Sequence, residues 1–304
     1  MKRSRPLRAA LLANAIFSAS CALGMLFAPT WVGDRLGIQI TMILQLIGVG
    51  LVVFAVDLVH KATRSRITTW RALYASTADF QWVLATIVGG VLFAENLSDS
   101  GLFTVSAVAV IVFAFGVWQL WGINRVHRVP ESGFYRHCVP VHVNASAIAM
   151  WSVVSSLGDI QHYMPALKSS EVLDGKEPGV RAIRRCVNQA GKAWAEECVT
   201  FEPGCRFTVR FLAEAPDFPF PARVMVGGWE VSSSGNGADV MVWWELQPKP
   251  AFLAPVLMPM LAFQGDRDFP KMIERMANAA RSREDRPSAD AEPRSAMRPL
   301  PRFC

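Results

Sequence analysis

Few residues in this chain are placed to do chemistry. Glu196 and Glu197 are adjacent in a stretch that alternates apolar and polar residues, and if Trp194 faces a core, so does Glu196. An inward carboxylate can bind a ligand hydroxyl or act as an acid/base. His162 and Tyr163 stand together at a bend closed by Pro165 and are the other weak candidates for proton transfer. Arg184 and Arg185 precede a hairpin turn and can pair with Glu196 or Glu197 across it, which is the plainer role for both carboxylates. No nucleophile–base pair, metal-spaced His/Cys/Asp cluster or Gly-rich phosphate loop accompanies them. No metal or cofactor is expected, and binding is favoured over catalysis.

A second set of residues points to an apolar ligand. Trp151, Tyr163, Met164, Trp194, Phe207, Phe211, Met225, Trp229, Met241 and Trp243 recur at strand or helix spacing. Met258 and Met260 follow on a long apolar segment and offer deformable, polarizable surface. Large, adaptable side chains with few polar groups suit a pocket wall, and equally suit a plain packed core. Val240 to Trp244 is apolar at every position, so its inward phase is open.

The elements that position these residues divide at about residue 128. Before it lie four apolar stretches, 9–29, 36–56, 72–94 and 101–123, each close to the roughly 20 residues that cross about 30 Å of hydrocarbon. Residues 1–128 carry 11 Lys/Arg against 5 Asp/Glu, while the remainder carries 20 of each, which argues against a nucleic-acid partner. Lys2, Arg3, Arg5 and Arg8 precede the first stretch, and Lys61, Arg64 and Arg66 fill the loop after the second. Arg125 and Arg128 follow the fourth. The positive-inside rule then puts both termini in the cytoplasm of a multi-pass inner-membrane protein. A cleaved signal peptide at 1–29 is the rival reading, and it leaves the C-terminus on the same side.

Short loops predict a bundle of antiparallel neighbours, with Gly48, Gly50, Gly89 and Gly90 as candidates for close helix approach. Asp57 sits at a span end beside His60 and Lys61. Asp79 lies deep in the third span, where a carboxylate is costly unless paired, protonated or hydrogen-bonded; Gln45, Gln81 and Gln119 are candidate partners. The arrangement loosely resembles four-span DoxX-like membrane proteins, without a motif that carries a function across.

After a polar linker at 129–138, Val139–Val143 reads as a strand. Ser146 is set to cap a helix from Ala147 to about Ser156, and Asp159 to Met164 forms a further short turn. Five strands are predicted at 180–187, 193–201, 205–212, 222–231 and 239–246, separated by Gly- and Pro-bearing turns. An apolar helix over 251–281 follows, with Pro255, Pro259 and Pro270 expected to bend or break it, and residues 282–304 are expected to be disordered. The implied registers oppose Cys186 to Ala193 and Cys198 to Val209, so no two of Cys186, Cys198 and Cys205 face each other. All six cysteines are read as reduced thiols.

This order of elements over 139–281 resembles the START-like, or SRPBCC, superfamily of polyketide cyclase/dehydrase and lipid-transfer type. The residues that carry it are the first strand leading to Trp151, the Asp159–Pro165 bend, Gly179-Val180-Arg181, Gly191 through Trp194 and Glu196, Glu202-Pro203-Gly204, and Gly237 to Trp244. The resemblance implies an α+β helix-grip fold, in which a curved antiparallel sheet wraps a long C-terminal helix around a cavity. The expected whole is a four-helix transmembrane bundle followed by a cytoplasmic domain that binds a hydrophobic small molecule or lipid. A cyclase/dehydrase-type enzyme acting on a membrane-soluble substrate, and a structural or regulatory protein with a closed cavity, are the alternatives.

Overall fold

The computed structural model describes residues 2–37, 41–65, 67–93, 95, 97–130 and 132–284. The chain divides into two compact units, one ending at His127 and the other starting at Arg128.

The first unit consists of α1 (Arg5–Phe27), α2 (Pro29–Leu36), α3 (Thr41–Thr63), α4 (Thr69–Leu92) and α5 (Asp99–His127). All but α2 are long and apolar enough to cross a membrane. The second apolar stretch begins later than its composition suggests, because Pro29 starts a separate two-turn helix that Gly37 ends in a left-handed conformation (φ 83°). Helix α1 packs mainly on α3 and α5, and α4 mainly on α5. Although consecutive in the chain, α3 and α4 scarcely meet. The close approaches fall at other glycines than most of those expected. A Cβ on Gly122 would lie 2.8 Å from Leu7 Cα, one on Gly116 3.0 Å from the Phe80 ring and one on Gly48 3.0 Å from Leu26 Cγ, whereas Gly50, Gly89 and Gly90 have open space.

Asp79 is at the centre of a buried polar cluster. Asn14 Nδ2 donates to its Oδ1 and Oδ2 at 3.0 and 2.9 Å, and Gln119 Nε2 donates to Oδ2 at 2.8 Å. Ser18 Oγ donates to Asn14 Oδ1 at 3.1 Å and Ser76 Oγ to Gln119 Oε1 at 3.2 Å, so both amides are oriented with their NH2 groups toward the carboxylate. Gln119 is thus a partner and Asn14 is an unforeseen one, while Gln45 and Gln81 are exposed. Asp57 pairs with Lys61 one turn along α3.

The second unit is a seven-stranded antiparallel sheet in the order β1-β7-β6-β5-β4-β3-β2. Its strands are β1 (Tyr135–Val143), β2 (Leu167–Val172), β3 (Ile183–Asn188), β4 (Ala193–Glu202), β5 (Arg206–Phe211), β6 (Ala222–Ser234) and β7 (Gly237–Pro248). Helix α6 (Ala147–Val154) and a 3-10 turn (Leu157–His162) follow β1, and α7 (Ala254–Glu284) closes the fold. Ser146 caps α6, its Oγ accepting from Ala149 N at 3.2 Å.

Strand β2 was not expected; LKSSEV is too polar to show a buried face. β1 starts at Tyr135, inside the stretch read as linker. Cys198 opposes Val209 as expected, while Cys186 opposes Trp194, one residue off, because β4 pairs from Ala193 with Val187. Cys21, Cys186, Cys198 and Cys205 are free thiols. Cys138 is disulfide-bonded, which corrects the reading of all six as reduced. α7 runs unbroken through Pro259 and Pro270. Pro255 stands in the first turn, where its missing N–H costs nothing. The expected disordered tail falls largely on 285–304, outside the described residues.

Candidate functional site

The concave face of the sheet is set by strand alternation. On β7, Ala238, Val240, Val242, Trp244 and Leu246 are buried at 7% exposure or less and belong to the core clusters beneath α6 and α7. Their partners on β6 are Ser233, Val231, Trp229, Gly227 and Met225, and Phe207 and Val209 on β5 pair with Trp229 and Gly227. Met241 therefore stands on the other face, half-buried between Val240 and Val242. Trp243 shares that other face: it opposes Gly228, where a Cβ would strike its indole, and it hydrogen-bonds Glu230. Trp244 is the inward tryptophan of the pair. Its ring packs on Phe269 at 5.7 Å, and Gly265 of α7 lets the helix approach it closely.

Between this face and α7 lies a cavity of about 200 Å³. Of the expected wall residues, Met164, Trp194, Glu196, Phe211, Met225, Trp229 and Trp243 line it, the last from a strand position whose side chain points away. Trp151 and Phe207 sit beneath it as packed core, with ring centroids 6.2 Å apart. Met258 is fully buried in the cluster with Tyr135 and Leu246. Tyr163 packs partly buried against the core, and its carbonyl accepts from Arg275 Nη1 at 3.0 Å. His162 is exposed, as is Met260. Neither His162 nor Tyr163 is brought to Glu196 among the cavity walls.

Gln264 and Asp268 of α7 border the cavity, and its buried polar end lies on β3 and β4. Arg184 (5% exposed) and Glu196 (4%) face each other across β3 and β4 and form an ion pair. Trp194 Nε1 donates to Glu196 Oε1 at 2.7 Å, and Arg184 Nη1 donates to the Leu157 carbonyl at 3.0 Å. Burial is the largest single influence and pulls the guanidinium pKa down, but the facing Glu196 carboxylate together with Cys186 and Cys198 outweighs it, so the net shift is upward. Arg184 Nε is the only buried side-chain nitrogen or oxygen among the described residues without a hydrogen-bond partner. Beside it, Cys186 has its thiol pushed up to about 11, first by burial and then by the Glu196 charge. It is therefore a neutral thiol rather than a nucleophile at ordinary pH.

Sequence reasoning missed Arg184 and Cys186 as wall residues, and with them Trp244, Leu246, Gly227 and Gly265. The signal available for Arg184 was its pairing with Glu196 across the hairpin: if one faces inward, both do. Phe220 lies edge-on to Trp194 (5.2 Å) and to Phe211 (5.7 Å), so the Pro-rich loop before β6 adds a wall that periodicity cannot show.

The family model described as polyketide cyclase / dehydrase and lipid transport matches residues 138–281. Over that stretch the chain is similar to this SRPBCC-type family and has the helix-grip arrangement described above; the match does not extend to the first unit, and the loose DoxX-like resemblance gains nothing from it. No curated protein matches the chain. Similar solved structures include the Zhui aromatase/cyclase from a Streptomyces species, at 15% identity over 52% of this chain and 99% of that one, with a TM-score of 0.40. The di-domain ARO/CYC StfQ from the steffimycin biosynthetic pathway is similar at 11% identity, over 59% and 61% of the two chains, with a TM-score of 0.43. The protein XoxI from Bacillus cereus is similar at 15% identity, over 49% and 97%, with a TM-score of 0.38.

Proposed function

We propose that the chain is a four-span membrane protein whose C-terminal unit binds a hydrophobic small molecule or lipid, with the polar end of the ligand at Arg184 and Glu196. The observation that carries this reading is the cavity itself: about 200 Å³, walled mostly by aromatic, methionine and aliphatic side chains, with one buried ion pair and with Gln264 and Asp268 at its α7 side. A dry apolar cavity of about 150 Å³ is enough to admit benzene. The spare Arg184 Nε–H suits a carbonyl, hydroxyl or carboxylate oxygen on an otherwise apolar body. The four long apolar helices would keep the cavity beside a bilayer from which such a ligand partitions.

A cyclase/dehydrase-type enzyme is the second reading, and Glu196 in the cavity wall is the observation behind it. Acid/base work needs a second group that exchanges a proton. The group facing Glu196 is a guanidinium, which does not, Cys186 is held as a thiol, and the other carboxylate in the wall, Asp268, is paired with Arg267. A closed-cavity structural role fits the open volume less well.

Two experiments test the reading. Arg placed at Val242 puts an unpaired charge among apolar walls and should abolish binding of a naphthalene dye, while Arg at Met241, on the other face, should leave it near wild type. Equal binding by both variants refutes the cavity. For topology, the loop charges predict that a reporter fused after Arg281 is active in the cytoplasm, and alkaline phosphatase activity there would contradict it.

A further inference from the structure

Helix α4 carries polar side chains on two sides at nearly the same depth, and the fold uses one of them. Asp79 points inward and is held by Asn14 of α1 and Gln119 of α5. Gln81, about 200° further round the helix, points outward and is exposed. Among the described residues it has no hydrogen-bond partner. Gln81 stands at the middle of the 24-residue helix, about 16–18 Å of helical rise from either end. Gln45, also an exposed amide, lies one turn from the start of α3 at Thr41, within reach of water and headgroups.

The outward face around Gln81 is continuous. Thr77, Leu84, Ala85 and Val88 are all exposed and fall within about 60° of it. The Thr77 hydroxyl is satisfied by the Leu73 carbonyl at 2.9 Å. Between Arg71 and Glu95 the only charged residue is Asp79, on the inner side. Toward Arg71 the face reaches Tyr74, where Lys61 Nζ lies 5.0 Å from the ring centroid. Apart from Gln81, every fourth position from Thr77 is small, through Ala85 to Gly89. A Cβ on Gly89 would meet nothing within 4 Å, so no packing inside the chain calls for glycine there.

We propose that this face of α4 pairs with the same face of a second copy of the chain, the two Gln81 amides hydrogen-bonded to each other across a two-fold axis. The inference rests on the reading of α4 as a membrane span. Hydrocarbon offers no donor or acceptor at midspan, and a glutamine side chain is too short to reach the interface from there. Lipid therefore leaves the amide unsatisfied. A side-chain amide is donor and acceptor at once, so it complements itself: the carbonyl of each accepts from the NH2 of the other. Copies inserted with the same topology are related by an axis along the membrane normal, and a residue beside that axis meets its own equivalent. This self-complementarity assigns a second copy rather than a foreign helix. Ala85 and Gly89, on the same ridge as Gln81, let the two backbones approach.

The test uses the full chain in vesicles of phosphatidylethanolamine and phosphatidylglycerol, diluted in lipid, with subunits counted by single-molecule photobleaching. The wild type should be largely dimeric, and Gln81→Asn, which keeps the amide, should retain most of the dimer. Gln81→Leu should lower the dimer fraction several-fold, while Gln45→Leu leaves it unchanged. Helical circular dichroism should be the same in all four, because both positions are exposed. Oxidation of Ala85→Cys should join two copies several-fold more than oxidation of Val53→Cys, a 65% exposed position near the middle of α3. Monomers in the wild type, a dimer indifferent to Gln81→Leu, equal cross-linking at 85 and 53, or a cross-link to a different protein in native membranes would overturn the proposal. Carbonate washing of native membranes separates this failure from that of the span reading. A chain that carbonate releases does not cross the bilayer and sinks both, whereas a retained monomer sinks the pairing alone.

Discussion

Arg184 and Glu196 offer the sharpest test of how the polar end of the cavity is built. Arg184→Met leaves Glu196 with the Trp194 indole (2.7 Å) as its remaining hydrogen bond, and leaves the Leu157 carbonyl without its donor. Glu196→Gln keeps an acceptor for Trp194 but sets a guanidinium against a neutral amide. Both groups are nearly shut off from water, at 5% and 4% exposure, so the discount that applies to surface pairs does not apply here. Removing one member of such a pair costs about 3–5 kcal/mol, because the other charge is left buried and uncompensated. The double variant should be less damaged than the sum of the two, by about 1–3 kcal/mol. Denaturant unfolding, followed by far-ultraviolet circular dichroism and tryptophan fluorescence, measures all three. Single losses below about 1 kcal/mol, the range of exposed pairs, or strict additivity would refute the reasoning.

Three further outcomes are expected. Asp79→Leu removes the acceptor for Asn14 and Gln119 and should loosen the helical unit by about 0.6–2 kcal/mol, whereas Asp79→Asn should stay close to wild type in yield and dye binding; proton flux in vesicles that vanishes in the Asn variant would instead make this carboxylate a functional centre. Cys186, raised to about 11, favours the neutral thiol in the folded state, so it should resist maleimide at pH 8. Its contribution to stability should be intact below pH 9 and fall as pH rises toward 11, and labelling at pH 8 at the rate of an exposed thiol contradicts this. Gly265→Ala gains helix propensity but drives a methyl into the Trp244 ring, so it should destabilise by about 1–3 kcal/mol and shrink the dye site; unchanged dye affinity would show that Trp244 does not shape the cavity.

The four apolar helices were legible because a hydrocarbon-spanning run leaves little else to read. The helix-grip order was legible because turns at Asn188–Gly191, Pro203–Gly204 and Ser232–Gly237 punctuate runs of period two. Alternation fixed Phe207, Phe211 and Trp229, where polar residues separate the apolar ones. It failed at Val240–Trp244, where every residue is apolar; there the phase is decided by pairing, Gly227 with Trp244 and Gly228 with Trp243. β2 was hidden because its burial depends on Gln161, whose side chain accepts from Ser170 N, and on β3 rather than on apolar residues of its own. Asn14 was overlooked as a partner for Asp79 because they are 65 residues apart, and helix contact rather than sequence brings them together.

The central claim is that the cavity holds an apolar guest. Native extraction of the purified full chain, with mass spectrometry of what is released, addresses it directly, with Val242→Arg prepared in parallel. The account predicts one or a few apolar species bearing a single oxygen-containing end group, recovered near stoichiometrically from the wild type and lost from the Arg variant. Bulk membrane lipid alone, recovered equally from both proteins, would contradict it.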